Sequence, residues 1–143
     1  MNHYLKLGTL AIAAIVTVAC GTSKSPDEPA AQPGKQISVQ KSGDLTIALQ
    51  NESGELKMGQ NRFVVGFRSA SGQPVDAGKV TVSSSMAMPG MAPMVAPIEL
   101  QPTGQAGSYS LTGDFAMSGA WKFEIRWDGP AGQGTTSFSA NVR

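Results

Sequence analysis

The stretch Trp121-Lys122-Phe123-Glu124-Ile125-Arg126-Trp127-Asp128 decides the fold. Its odd positions are aromatic or aliphatic and its even positions are charged. A strand sends successive side chains to opposite faces, so this period of two describes a strand with one buried and one wet face. On a helix the same residues would mix both classes all the way round. Sheets with one solvated face are characteristically antiparallel.

The same period recurs in both directions. Leu45, Ile47 and Leu49 alternate with Thr46 and Ala48. Phe63, Val65 and Phe67 alternate with Arg62, Val64, Gly66 and Arg68. Val80 and Val82 alternate with Lys79, Thr81 and Ser83. Ile98 and Leu100 flank Glu99, and Tyr109 and Leu111 flank Ser110. Phe138, Ala140 and Val142 share one face of a final strand. Turn-forming clusters separate these runs: Asn51-Glu52-Ser53-Gly54, Ser71-Gly72-Gln73-Pro74, Thr103-Gly104 and Asp128-Gly129-Pro130. Beyond the N-terminal region no segment carries a helical period. The pattern predicts an all-β, immunoglobulin-like antiparallel β-sandwich of about seven strands. The paired cysteines of antibody domains are absent, so the likeness is one of architecture.

The N-terminal region reads differently. Lys6 precedes an apolar run from Leu7 to Ala19 that ends in small residues, the pattern of a secretory signal peptide. The run is short for a transmembrane span. The single cysteine, Cys20, follows Thr17-Val18-Ala19 and resembles the lipidated cysteine of bacterial lipoproteins, with Thr17 standing where an aliphatic residue is usual. Gly21 in the next position points to the outer rather than the inner membrane. The segment Gly21 to Gly34 holds three prolines and no large apolar residue, so it buries too little surface to offset its ordering entropy. The expected organisation is a signal peptide over 1–19, a lipidated cysteine and flexible tether over 20–35, and the sandwich over 36–143.

Composition removes several function classes. One cysteine allows no internal disulfide. The lone histidine, His3, lies in the signal region, so the expected mature chain has neither His-dependent nucleophilic catalysis nor a usual zinc site. Eleven basic residues, one of them Lys6, stand against ten acidic ones. This near-neutral balance argues against nucleic acid as a partner. The carboxylates are scattered and no phosphate-binding glycine motif is present. The expectation is a protein that is not an enzyme.

What remains is Ser83-Ser84-Ser85-Met86-Ala87-Met88-Pro89-Gly90-Met91-Ala92-Pro93-Met94. Met86, Met88, Met91 and Met94 crowd a segment stiffened by Pro89, Pro93 and Pro97. Pro89 and Gly90 suit the two central positions of a type II turn, which holds its first and fourth Cα atoms within about 7 Å. Thioethers are soft neutral donors that select Cu(I), and they need no deprotonation. Methionine also makes adaptable protein-binding surfaces. Two readings therefore stand: a Cu(I) site, or an apolar loop that docks a membrane-complex partner without metal. A structural envelope lipoprotein with neither activity is a third.

Met86-Ala87-Met88-Pro89-Gly90-Met91, followed by Gly107-Ser108-Tyr109 and then Phe115-Ala116-Met117-Ser118-Gly119-Ala120-Trp121, resembles the YtkA-like domain family, related to FixH-like proteins. The resemblance spans residues 43–128. It implies a small immunoglobulin-like extracytoplasmic domain associated with copper handling. It carries over Met88, Met91 and Met117 as candidate Cu(I) ligands, to which the local clustering adds Met86 and Met94. Family members often have a histidine after the Met-Pro-x-Met segment; this chain has Ala92-Pro93-Met94 there. Met94 either replaces that ligand with a softer one or marks a site that is lost. Trp121 shares parity with Phe123, Ile125 and Trp127, so a core role is favoured over a cation–π role beside a metal. Met58 reads as an ordinary loop or packing residue. The expected partners are the membrane, through the lipid on Cys20, and a membrane protein or copper acceptor on the periplasmic side of the cell envelope.

Overall fold

The computed structural model describes residues 34–143. The expected signal peptide, Cys20 and nearly all of the expected tether lie outside the described residues. The described chain forms nine strands in two antiparallel sheets. One sheet has the order β1 (Lys35–Ser42), β2 (Leu45–Asn51), β3 (Gly59–Arg68), β7 (Ser108–Phe115) and β6 (Ile98–Pro102). The other has the order β5 (Met94–Ala96), β4 (Lys79–Met86), β8 (Gly119–Gly129) and β9 (Gly132–Val142). The expected all-β sandwich is thus the observed fold.

Period-two patterning dictates how the sheets stack. On β8, Trp121, Phe123, Ile125 and Trp127 are buried, whereas Lys122, Arg126 and Asp128 are exposed. On β3 the buried set is Phe63, Val65 and Phe67; on β9 it is Phe138, Ala140 and Val142. The two inner faces interdigitate through rings. Phe63 meets Phe123 edge-on at 6.1 Å, and Phe115 meets Trp121 at 5.2 Å, while Phe123 stacks on its cross-strand partner Phe138 at 5.2 Å. Such pairs add about 0.5–1.5 kcal/mol each beyond the area they bury. Gly113 occupies an inward position of β7, and a Cβ there would lie 2.7 Å from Ile98 Cδ1, so absence of a side chain makes room for β6 to close.

Nine strands form where about seven were expected, and the two extra ones are β1 and β5. β1 lies at a sheet edge and carries a bulge between Gln36 and Ser38. Beyond the bulge Ser38 and Gln40 stand opposite the inward Leu49 and Ile47. A bulge resets the side-chain parity, so β1 shows a polar inward row that alternation cannot reveal. β5 has three residues and sits inside the proline-rich methionine segment, held to β4 by the register Ser84 to Ala96 and Met86 to Met94. The buried Ser84 hydroxyl donates to the Ala96 carbonyl at 3.0 Å, a further tie across the same pair.

Candidate metal centre at the methionine end

The end of the sandwich where β4 finishes and β8 begins gathers both methionine segments. Met86, the last residue of β4, is 8% exposed and belongs to the core. Its sulfur fills the space over Gly119, where a built Cβ would lie 2.9 Å from Met86 Sδ. Gly119 has φ +140°, a backbone state that side chains rarely adopt. This glycine therefore serves both the turn into β8 and the seat of the Met86 thioether. Met86 and Gly119, more than thirty residues apart in the chain, thus bring the two segments into contact.

The turn expected at Met88-Pro89-Gly90-Met91 forms. Gly90 has φ +73°, and the Met91 N–H donates to the Met88 carbonyl at 3.2 Å. The side chains at its two ends differ in burial. Met88 is half-buried and packs against the core, whereas Met91 is 64% exposed. Met94 stands opposite Met86 across β4 and β5 and is half-buried against the same core edge.

Met117 lies between β7 and β8 and is 41% exposed. Its backbone is fixed from below: the fully buried Trp121 donates from Nε1 to the Met117 carbonyl at 3.0 Å. Trp121 thus has the core place that its parity predicted. Among the described residues no group of three or more His, Cys, Asp or Glu side chains stands together. The donors concentrated at this end are thioethers, a set whose softness fits Cu(I) rather than Zn²⁺ or Mg²⁺.

The Gly-x-Tyr segment falls at the opposite end. Gly107 has φ +69°, and a Cβ on it would come within 2.2 Å of the Val75 carbonyl oxygen. Tyr109 spans the two sheets and donates to the Gly78 carbonyl at 2.9 Å, with Asp76 Oδ1 at 3.5 Å. Burial, and then the charge and hydrogen bond of Asp76, hold its hydroxyl above the ordinary phenol range. These residues fasten the sandwich and hold no soft donor.

The YtkA-like family matches residues 39–126, which contain all three segments. The chain belongs to the YtkA-like family. No curated protein matches this YtkA-like chain. Among solved structures, it is similar to a DUF4426 family protein from Pseudomonas aeruginosa PAO1, at 21% identity and TM-score 0.52, over 73% of this chain and 96% of that one. That likeness is one of fold. Slighter likenesses are to the Lin-41 filamin domain (16% identity, TM-score 0.45, 62% of this chain and 81% of that one) and to PcoC, a methionine-rich copper resistance protein from Escherichia coli (12% identity, TM-score 0.45, 62% and 88%).

One further methionine stands at this end. Met58 precedes β3, is 59% exposed and sits on the methionine end, since Gly59 is paired with Phe115. Of the two roles expected for it, loop or packing residue, it has the loop one. Nothing near it in sequence signals its place at this end; only the β3–β7 register does.

Proposed function

We propose that this YtkA-like domain binds Cu(I) through methionine thioethers and sequesters it or hands it to an acceptor. The observation that carries the reading is the contact of Met86 Sδ with Gly119, which supports one site built from both methionine segments. Met88, Met91, Met94 and Met117 supply the reachable sulfurs, while the buried Met86 packs beneath them. Neutral ligands keep such a site competent across a wide pH range. The chain is anchored by a lipid on Cys20 to the periplasmic side of the cell envelope, in the outer membrane, and it catalyses no reaction.

Titration of the metal-free protein with Cu(I) against a competing chelator tests this. Saturable competition that is lost in the Met88→Leu, Met91→Leu double variant is expected. Unchanged binding in that variant, or no competition at all, would sink the reading. The exposure of Met91, Val95 and Met117 favours a second reading, a docking surface for a membrane-complex partner. Leucine in place of methionine preserves such a surface and abolishes metal binding, so the same variants separate the two.

A further inference from the structure

The fold grades the six methionines of the described residues by how far solvent can reach them. Met86 is buried in the core, Met88 and Met94 are half-buried against it, and Met117, Met58 and Met91 are exposed in rising order. Oxidation of a thioether requires the oxidant to reach the sulfur, so the same grading orders their reactivity. The product, a sulfoxide, is polar and presents a harder oxygen donor in place of a soft sulfur.

The consequence for the fold differs along the series. Met91 sits on a turn made by the positive φ of Gly90 and by its own N–H donating to the Met88 carbonyl at 3.2 Å. None of that uses the Met91 side chain. The backbone of Met117 is likewise held from below, by the Trp121 indole on its carbonyl. At Met86 the thioether itself is the structural element, seated over Gly119 inside the core. An oxygen added to that sulfur has to be fitted into a packed interior. The sulfur that oxidant meets first is therefore the one whose loss the sandwich tolerates best.

We propose that Met91 is an oxidation site at which a peroxide switches off Cu(I) binding while the sandwich stays folded. This rests on the copper reading above and adds to it a means of release. The Met91 Sδ lone pair attacks one oxygen of hydrogen peroxide. The O–O bond breaks as the S–O bond forms, and the departing hydroxide takes the proton from the new S–OH and leaves as water. Sulfur loses two electrons and the peroxide gains them. The segment has then lost its most exposed soft donor. Met58 provides an internal comparison, because it is nearly as exposed and stands at the same end, yet lies outside the ligand set.

The test treats the metal-free protein and a Met58→Leu variant with stepwise hydrogen peroxide. After the peroxide is removed, peptide mass spectrometry locates the added oxygens and Cu(I) is titrated against a competing chelator. Met91 and Met58 should be oxidised first, Met117 next and Met86 last. In both proteins the Cu(I) competition should be lost in step with the oxidised fraction of Met91, with the denaturation midpoint unchanged. Methionine sulfoxide reductases of both epimer specificities should restore it. If Met91 is oxidised and competition persists, the switch is wrong and the copper reading stands. Loss that appears only with Met86 oxidation and a lowered midpoint is structural, and it overturns the switch, as does oxidation of Met86 as early as Met91. If the untreated protein does not compete, the copper reading falls and the switch with it.

Discussion

The two ends of the sandwich are finished in opposite ways. At the Tyr109 end, backbone meets backbone. Gly78 and Gly129 lie so close that a Cβ on Gly78 would be 2.6 Å from the Gly129 Cα, and Gly107 is wedged between the carbonyls of Val75 and Phe67. Hydrogen bonds from Tyr109 and from the Phe67 and Val75 amides complete the closure. At the other end the contact that matters is a sulfur over a glycine, and the surface beyond it is exposed thioether. The Phe67 carbonyl is fixed in β3 and Val75 is tied to it through its own amide, so neither moves aside easily, whereas the tip of an unbranched methionine can. The rigid end holds the sheets in register, and the soft end is left to change.

Matched glycine substitutions test that contrast most strongly. Gly107→Ala puts a Cβ against two carbonyl oxygens at a positive φ. Strain and overpacking together should cost about 3–5 kcal/mol, read as a drop in the denaturation midpoint. Gly119→Ala also strains the backbone, but the Cβ meets only Met86 Sδ, which can swing away. It should cost about 1–3 kcal/mol and disturb the methionine end more than the fold. Equal losses at the two positions would refute the idea that one end is rigid and the other adaptable.

The sequence made most of the fold legible, because alternation reports a face buried against a second sheet. Trp121 to Trp127 on β8 and Phe63 to Phe67 on β3 are the clear cases. It failed where that cause was missing. The bulge at Gln36 and Ser38 resets the parity of β1, and three residues of β5 are too few to display a period. At the candidate site, the local turn at Met88 to Met91 was readable from Pro89 and Gly90, since those residues impose it. The seat of Met86 over Gly119 and the place of Met58 at the same end of the sandwich were not. Both depend on which strands pair and in what register, which short-range pattern does not encode.

Tyr109 gives a smaller effect that belongs to the rigid end alone. Tyr109→Phe removes the bond to the Gly78 carbonyl and should cost about 1 kcal/mol at neutral pH. The folded hydroxyl titrates above its ordinary value of 10.0, so the folded state keeps a proton that the unfolded chain releases first. The stabilisation from this group is therefore present below pH 10 and is lost as pH rises through the folded value. Thermal unfolding of both proteins across the alkaline range should show the wild-type advantage shrinking towards zero. An advantage that stays constant or grows would mean that the buried hydroxyl is not what ties the sheets there.

The smallest expected effect on stability is also the most discriminating for function. Met91 makes almost no use of the core, being 64% exposed on the far side of a turn whose geometry comes from Pro89 and Gly90. Met91→Leu keeps the volume and apolar character of the side chain and leaves the turn intact. Its stability should stay within about 0.5 kcal/mol of wild type by chemical denaturation. Leucine is branched where methionine is not, but at so exposed a position the difference that bears on a metal is the missing sulfur. A loss of Cu(I) competition in a protein of unchanged stability can then be assigned to the missing donor atom. If the variant is instead clearly destabilised, Met91 is packing against something at the soft end, and the division of labour between the two ends is less sharp than the geometry indicates.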